Sequence, residues 1–542
     1  MDLTRQQTLC IIILKKVLKM HLCFETNYLK GRFNMKTLRN LFIIFMVMVM
    51  MLTTVLTSCS DPADDSNDTT PADNIGNQGD TTTPAEGDNG NSSVETEYDP
   101  LAQLAIEDFG QYVFNIITPS RTWAITNMTA TDLTADTIQD AIYERQVAIE
   151  ERLSIKLEEI ISTDDITTKL MSTAMQSGED SYDLALVQTY NALKMYNQNY
   201  VYDQTELDSI DLTNPWWEQS FNQDVNIGDK RYISFGNANL IYYSSFYIFC
   251  FNKSMIEDHG MESPYDLVAN GKWTYDKVYE MMQTAAVDNG ADGIYTPGED
   301  TLGLTGHINH SRNLILSSGT SITTRDNDGF PVYNGLSDKF ISAFTKFTEF
   351  FINSPYCAIA GKSPSPYTGY SSTGGVANYI QVFIDGQSLF LTTGTNEVTT
   401  LRNTETEYGI VVVPKYEEAQ ENYITPVYSA TEGFVIPMNA PDPERTALIL
   451  ETLGALSYNN LVDKHIGTVL HYKVANDPTA IENINMAYAS GAIDNAMANN
   501  FGTCTNILNN LNVYGSVNVA STFKAIEKKL ISDIEDAVTN LG

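Results

Sequence analysis

Apolar positions along the chain change from alternation to a continuous run between residues 231 and 253, which read RYISFGNANLIYYSSFYIFCFNK. The first residues alternate as a strand does, and a small polar turn with Asn237 and Asn239 follows. From residue 240 to residue 251 nearly every side chain is apolar or aromatic. A run of this kind without a helical period predicts a strand that is buried on both faces. We expect this strand to carry the chain from one sheet into another.

The chain before this run alternates between two periodicities. Residues 137–153 place apolar side chains on one face and charged side chains on the other, which predicts an amphipathic helix. Short apolar or alternating runs predict strands on both sides of it. Repeated strand–helix–strand units are typical of a parallel sheet with helices on its faces. The predicted strands are 113–117, 154–160 and 182–187, and residues 164–177 predict a second helix.

The chain after residue 253 also contains both helix and strand patterns, together with helix caps and a loop. Thr274 is a suitable N-cap for a helix that ends near residue 286, and Asn214 with Pro215 predicts the start of another helix. Residues 354–375 are rich in Ser, Gly, Tyr and Pro, which predicts a loop. The other predicted elements are helices at 254–258, 332–352 and 443–458, and strands at 383–391, 408–415 and 431–437, the last returning to the first sheet.

The N-terminal region has the pattern of a lipoprotein signal peptide. A short basic segment begins at Met35, an apolar segment spans residues 41–55, and Leu-Thr-Ser precedes Cys59. This order predicts cleavage before Cys59 and its lipidation. An uncleaved membrane anchor is the alternative, although the apolar segment is short for a span. Residues 1–34 fit no signal peptide, so we expect Met35 to be the true start.

Charge separates the N-terminal region from the remainder. The formal net charge is −36, yet residues 1–58 hold eight Lys/Arg and two Asp/Glu, so the chain from Cys59 onward carries 24 basic and 66 acidic side chains. Such an acidic chain argues against nucleic acid or an anionic membrane surface as a partner. Residues 60–99 are acidic and poor in apolar side chains, which predicts a disordered linker. Three widely spaced cysteines follow, an odd number that predicts buried thiols without disulfides: Cys250, Cys357 and Cys504.

Several short segments, in this order, resemble the extracellular solute-binding proteins of ABC importers, of the carbohydrate-binding family 1 type. Each segment alone is weak evidence, and the shared order carries the resemblance. The segments are AIYERQVAIEERL at 141–153, the FNK that closes the buried run at 251–253, GKWTYDKV at 271–278, FIDGQSLFL at 383–391 and YGIVVVPK at 408–415.

The resemblance implies an α/β, two-lobed periplasmic-binding-protein-like fold of type II, with hinge crossovers and a helical C-terminal tail. Lobe one would comprise residues 100–238 and 428–542, and lobe two residues 239–427. Ligands of α/β proteins bind beyond the carboxyl ends of strands, so the ligand is expected between the lobes. The expected ligand-binding residues are Gln188, Thr189, Tyr190, Trp216, Asn237, Asn239, Tyr242, Thr392, Thr393, Thr431 and Glu432.

Structural interpretations stand beside these assignments. The segment from Gln188 to Tyr190 is also what an ordinary helix start looks like. Trp216 could stack on a sugar. Two adjacent Trp side chains, however, cannot both lie on one face of a helix, so packing in the core is the alternative for Trp216.

A calcium loop is one interpretation of residues 288–299, DNGADGIYTPGE. Asp288, Asp292 and Glu299 occupy positions one, five and twelve of such a loop. Gly290 at position three offers no ligand oxygen, so an exposed turn is the alternative interpretation. No other cofactor is expected.

By its resemblance the chain is expected to be a lipid-anchored protein on the outer face of the bacterial cytoplasmic membrane. It would capture a carbohydrate, such as an oligosaccharide, by hinge closure and deliver it to the permease of an ABC transporter, without catalysis. Two alternatives stay open. Carboxylates are plentiful enough for a surface-anchored glycoside hydrolase, and a cell-surface adhesion module fits the same N-terminus.

Overall fold

A computed structural model describes residues 99–541 except 164–165, 179–181, 373–374, 459 and 475–476. The predicted signal peptide with Cys59 lies outside the described residues, as do residues 60–98 of the linker. Contacts divide the chain into Met1–Val94 and Glu95–Gly542, and every described element belongs to the second unit.

Thirteen strands are formed by the described residues. In chain order they are β1 Tyr112–Ser120, β2 Ile155–Thr163, β3 Leu184–Gln188, β4 Tyr247–Asn252, β5 Leu302–His307, β6 Thr324–Arg325, β7 Pro331–Val332, β8 Cys357–Ala360, β9 Ser388–Gly394, β10 Tyr408–Val411, β11 Thr425–Pro426, β12 Glu432–Val435 and β13 Gly491–Ala492.

The α-helices are interspersed with the strands, and from residue 443 onward the short strand β13 is the one strand described among them. They are α1 Thr137–Leu153, α2 Ile166–Ser177, α3 Thr189–Asn197, α4 Gln219–Val225, α5 Leu240–Tyr243, α6 Lys253–Asp258, α7 Pro264–Ala269, α8 Tyr275–Ala285, α9 Ile308–Leu314, α10 Asp338–Phe347, α11 Asn378–Ile384, α12 Pro443–Ser457, α13 Leu461–Val474, α14 Pro478–Ala489, α15 Asn495–Asn499, α16 Cys504–Val513 and α17 Val519–Thr539.

Lobe one is built on a four-stranded sheet in the order β12-β3-β1-β2. β1 pairs in parallel with β2 and β3, and β12 runs antiparallel to β3 with Glu432 opposite Gln188. The helix predicted over residues 137–153 is confirmed as α1, and its first amides are capped by the Asp136 carboxylate. β1 is buried on both faces, as expected for a strand in the interior of a sheet covered by helices.

Lobe two is built on a five-stranded sheet in the order β10-β4-β9-β5-β8. β4 is antiparallel to β9 and β10, whereas β5 is parallel to β8 and β9. Every residue of β4 and β9 is buried. Thr274 caps α8 by accepting a hydrogen bond from the Lys277 amide, as predicted.

The buried run between the lobes is not one strand. Its first four residues form the helix α5, and only residues 247–252 form a strand. The Asn239 side chain accepts from the Tyr242 amide, and the Ser244 and Ser245 hydroxyls donate to helix carbonyls. Side-chain capping of this kind favours a helical turn locally. The predicted strand at residue 231 is also wrong, because that segment contributes isolated bridges, such as the one from Ser234 to Phe434.

Three further elements differ from prediction. The helix predicted from Asn214 begins at residue 219, because Trp217 pairs with Gly236 in an isolated bridge. The predicted loop at 354–375 contains β8, which extends the second sheet at its edge. The helix predicted over 332–352 begins at Asp338, after the Ser337 cap, and ends in a π-helical turn.

The tail after α12 contacts both lobes. It had been expected to belong to lobe one, and α12 does lie in the lobe-one core. Beyond it, however, Phe523 packs near Phe340 with ring centroids 6.5 Å apart, and Asp477 forms an ion pair with Lys253 at 2.7 Å. The tail thus packs against the surface of lobe two, while Lys464 of α13 pairs with Glu144 of lobe one at 3.3 Å.

The three cysteines of the folded region are free thiols, as predicted. Cys250 and Cys504 are buried, and Cys357 is partly buried. Burial raises the pKa of all three thiols above the ordinary value. They therefore contribute packing rather than reactivity.

Candidate ligand-binding cleft

A cavity of about 240 Å³ lies where strands of both sheets and both crossing segments end. Lobe one contributes the loop after β1, and lobe two contributes the start of α9, which follows β5, and the loop after β9. This is the position at which α/β proteins bind ligands. The cavity is lined by Trp123, Ser244, Ser245, Tyr247, Asn309, His310, Gly394, Asn396, Glu397 and Tyr428.

A second cavity of about 420 Å³ is continuous with the first, because Trp123, Ser244, Asn396 and Glu397 line both. We refer to the two together as the cleft. The additional lining residues are Thr122, Ala124, Ile125, Gly375, Val376, Ala377, Ile380, Thr395, Thr399, Thr400 and His465.

The lobe-one wall of the cleft is aromatic and apolar. Trp123 meets the Tyr428 ring edge to face, with centroids 5.9 Å apart and planes at 89°. Two residues earlier, Arg121 donates from Nε to Glu432 Oε1 at 2.7 Å. The Glu432 side chain is 1% exposed, and that of Arg121 is 11% exposed. This buried ion pair fixes the loop that carries Trp123 to strand β12.

The lobe-two wall is polar and centres on Glu397. One carboxylate oxygen accepts from the Tyr379 hydroxyl. The other accepts from Thr393 Oγ1 at 2.8 Å and lies 3.4 Å from His310 Nε2. His310 Nδ1 lies 3.2 Å from the Thr392 carbonyl, so both imidazole nitrogens have a partner.

Electrostatics keep this network anionic. Burial acts to raise the pKa of Glu397, but His310 and the hydrogen bonds from Tyr379, Thr393 and the Gly394 amide lower it below its usual value. Burial lowers the pKa of His310, against the opposing effect of Glu397. Burial and the neighbouring His310 lower the pKa of His307 to about 4. At neutral pH the Glu397 carboxylate is therefore charged and the His307 imidazole is neutral.

Of the expected ligand-binding residues, two lie directly behind this wall. Thr393 donates to Glu397, and the Thr392 carbonyl faces His310. Both are buried within β9 rather than following it. They position lining residues and do not line the cleft.

A second group of the expected ligand-binding residues forms hydrogen bonds at the crossing segments. Thr189 Oγ1 donates to the Ser429 carbonyl at 2.7 Å, and Thr431 Oγ1 lies 2.9 Å from the hydroxyl of Ser245, a cleft residue. Gln188 accepts from the Tyr190 hydroxyl at the start of α3. That helix begins directly at residue 189, so the structural interpretation of this segment as a helix start is correct.

The remaining expected residues lie in the interior. Trp216 and Tyr242 are 1% and 0% exposed and pack in the hydrophobic core. Asn239 caps α5 and donates to the Glu432 carbonyl at 2.6 Å. Asn237 donates to the Tyr243 hydroxyl at 2.8 Å. None of these four lines the cleft; for Trp216 and Tyr242 the apolar side chain explains the burial.

Sequence reasoning missed the residues that do line the cleft. Trp123 lies in a loop without a motif, and Tyr428 lies in the second crossing segment. His310 lies in the short helix α9 and belongs to none of the segments singled out above, and Glu397 follows the predicted strand at 383–391 by a few residues. The rule that ligands bind beyond strand ends would have found Trp123 and Glu397 if it had been applied to every strand.

The candidate calcium loop uses its carboxylates locally. Asp288 accepts from the Gly293 amide at 2.7 Å, and Asp292 accepts from the Ile294 amide at 2.8 Å. Within the described part of the chain, no cluster of three or more His, Cys, Asp or Glu side chains could hold a metal ion. Calcium binding here stays a prediction, and identical melting curves in chelator and in millimolar calcium would contradict it.

Two α/β lobes joined by crossing segments, with a cleft between them, define a ligand-trapping receptor. The chain belongs to the bacterial extracellular solute-binding protein family, whose model matches residues 148–456. Proteins of this family act outside the cytoplasm. The match covers the whole lobe-two sheet, β2, β3 and β12 of the lobe-one sheet, and every described lobe-two residue of the cleft, and it confirms the family recognised from the sequence. No helix among the described residues has the length and apolarity needed to cross a membrane.

Solved structures share the fold at low sequence identity. The cyclo/maltodextrin-binding protein complexed with maltotetraose is 11% identical, with a TM-score of 0.50 over 79% of this chain and 96% of that chain. UgpB from Mycobacterium tuberculosis, in complex with glycerophosphocholine, is 13% identical, with a TM-score of 0.51 over 79% and 98%. An open conformation of a sugar transporter from Rhizobium etli is 13% identical, with a TM-score of 0.50 over 78% and 98%. The two-lobed fold is thereby confirmed. No curated protein matches the sequence.

Proposed function

We propose that this protein captures a carbohydrate in its cleft, closes about the hinge, and delivers the sugar to the permease of an ABC transporter. The observation that carries the proposal is the pairing of an aromatic wall with a polar wall. The apolar face of a sugar ring stacks on Trp123 or Tyr428, while its hydroxyls bond to Asn309, Asn396 and Glu397. The names of two structures with this fold, a maltodextrin-binding protein and a sugar transporter, favour the same ligand class.

Binding without catalysis is part of the proposal. Among the described residues that line the cleft, Glu397 is the sole carboxylate. Most glycoside hydrolases use two carboxyl groups that flank the scissile bond. We therefore expect oligosaccharides to be recovered intact after long incubation with the protein, and release of shorter sugars would favour the hydrolase instead.

The sugar class is tested by a thermal-shift screen of the purified protein against mono- and oligosaccharides, amino acids and short peptides. A ligand at a hundredfold excess over its Kd stabilises the native state by about 2.7 kcal/mol, which raises the melting temperature. We expect one carbohydrate series to produce a selective shift. Shifts from peptides alone would overturn the carbohydrate assignment, and no shift at all would favour the adhesion module.

Hinge closure is tested on the same sample by small-angle scattering. Closing the cleft brings the two lobes closer together about the crossing segments, so the radius of gyration decreases. We expect a smaller radius with the sugar that the screen identifies. An unchanged radius would contradict the closure mechanism while leaving binding intact.

Anchoring through Cys59 completes the proposal. A diacylglycerol on the mature N-terminus would hold the receptor beside its permease on the outer face of the cytoplasmic membrane. Mass spectrometry of the N-terminal peptide is expected to show a lipid on Cys59. Secretion of wild-type protein and of the Cys59→Ser variant in equal amounts into the medium would contradict it.

A further inference from the structure

The cleft carries one fixed charge, and this charge is negative. No Lys or Arg is among the described residues that line it, and Glu397 is the carboxylate. The lining imidazoles belong to His310 and His465, and burial lowers the pKa of both. The folded region is strongly acidic as well, which raises the local concentration of cations near such a cleft.

Among the described residues, no Lys or Arg forms an ion pair with Glu397. Its hydrogen-bond donors are the neutral hydroxyls of Tyr379 and Thr393 and the amide of Gly394. His310, 3.4 Å away, is the titratable group that faces the carboxylate most closely. A charged group that is largely removed from water is stabilised when an opposite charge reaches it.

Neither Arg121 nor Arg312 is among the residues that line the cleft. Arg121 forms the buried ion pair with Glu432. The guanidinium of Arg312 lies over the Tyr428 ring, 5.5 Å from its centroid, on the side of the second crossing segment. The aromatic wall itself also favours cations, because the faces of Trp and Tyr rings attract positive charge.

From these features, and resting on the carbohydrate function proposed above, we propose that the cleft selects sugars that carry a protonated amine. Glu397 is the specificity-determining residue, and it supplies the counter-charge for that amine. The same carboxylate rejects sugars that carry a carboxylate, because like charges repel across a site that excludes water. Neutral sugars bind with intermediate affinity.

The test uses three matched series and isothermal titration calorimetry on the full chain. The probes are glucose, galactose and mannose, each with its 2-amino-2-deoxy counterpart and its uronate. In a series that binds, we expect the amino sugar to bind about tenfold more tightly than the neutral sugar and the uronate to bind most weakly. In Glu397→Gln this order collapses, because the amide keeps the shape and loses the charge.

Glu421→Gln is the matched control, since it removes one negative charge from an exposed side chain outside the cleft. It is expected to keep the wild-type order of affinities, and melting curves verify that both variants fold. A uronate that binds as tightly as its amino sugar would overturn the proposal, as would an unchanged order in Glu397→Gln. Binding of neutral sugars in that case leaves the carbohydrate function standing. Silence of all nine probes overturns the proposal, and the oligosaccharides of the thermal-shift screen then test the carbohydrate function separately.

Discussion

The two lobes bring opposite chemistry to one cleft. Lobe one presents a single tryptophan on a loop that is fixed by the ion pair between Arg121 and Glu432. Lobe two presents the Glu397 carboxylate, which accepts a hydrogen bond from Thr393 and lies 3.4 Å from the His310 imidazole. Stacking tolerates many ring orientations, whereas hydrogen bonding does not. We therefore expect lobe one to provide affinity for a sugar ring and lobe two to determine which sugar is bound.

The largest effect is expected from breaking the support of the lobe-one wall. Arg121→Ala removes the guanidinium that pairs with the buried Glu432 carboxylate, which destabilises the native state by about 3–5 kcal/mol. It also releases the loop that holds Trp123, so sugar affinity falls. Urea unfolding and calorimetry measure the two effects.

The double variant Arg121→Met with Glu432→Gln is the control for that experiment. It removes both charges and keeps similar volumes, so most of the lost stability is expected to return. Recovery of stability without recovery of affinity would confirm that the ion pair positions Trp123. Full stability of the single variant would contradict a buried ion pair.

The next effect concerns the aromatic wall itself. Trp123→Ala removes the stacking surface, and we expect the Kd for a sugar found in the screen to rise about thirtyfold, or about 2 kcal/mol. Trp216→Phe provides the contrast, because Trp216 is buried in the core. That variant is expected to lower the melting temperature and to keep the affinity. Equal affinity losses in both would contradict the assignment of Trp123 to the cleft.

A smaller effect is expected from the polar wall. Tyr379→Phe removes one donor to Glu397 and leaves the ring in place. The carboxylate then loses part of its orientation, and we expect affinity to fall by about 1 kcal/mol, roughly fivefold. Unchanged affinity, measured by calorimetry, would show that Thr393 and the Gly394 amide hold Glu397 without help.

The smallest expected effect is on the pH dependence of folding stability, which has opposite sign in the two lobes. In lobe one, burial raises the pKa of Glu451 to about 7, against hydrogen bonds from Trp217 and Asn214. Its stabilising contribution is therefore present at acidic pH and lost as the pH rises through 7. In lobe two, the pKa of His307 is lowered to about 4. Its contribution is present above pH 6.5 and lost as the pH falls toward 4.

Melting curves between pH 4 and pH 8 test this opposition. Glu451→Gln is expected to remove a fall in melting temperature of about 2 °C between pH 4.5 and pH 7. His307→Asn is expected to remove a rise in melting temperature between pH 4 and pH 6.5 and to keep the hydrogen bond from the Asn309 amide. A change of the opposite sign in either variant would show that the pKa shift has been assigned to the wrong group.

The fold could be predicted largely from periodicity and caps. The helix at 137–153 is present with the predicted bounds, because an apolar face and the Asp136 cap agree. The run after residue 239 was misinterpreted, because its apolar composition suits a strand as well as a buried helix. The capping side chain of Asn239 decides between them, and its contacts depend on neighbours in the fold.

The cleft could be predicted less well for a physical reason. Strand ends indicate where a ligand binds, but which side chain reaches the cavity depends on packing between lobes that are distant in sequence. Thr431 and Glu432 lie at the predicted crossing, but their side chains form hydrogen bonds with Ser245 and Arg121 and do not line the cleft. Trp123 and Tyr428 are 305 positions apart and meet only in the folded chain.

The tail that spans both lobes has a consequence for how the protein is made. The chain is synthesised from its N-terminus, so every strand of both main sheets, the last of which ends at Val435, exists before Phe523 does. Phe340 is fully buried in the complete molecule and packs near Phe523. A chain that lacks α17 is therefore expected to expose the apolar surface around Phe340 and to aggregate or be cleaved more readily than the complete protein.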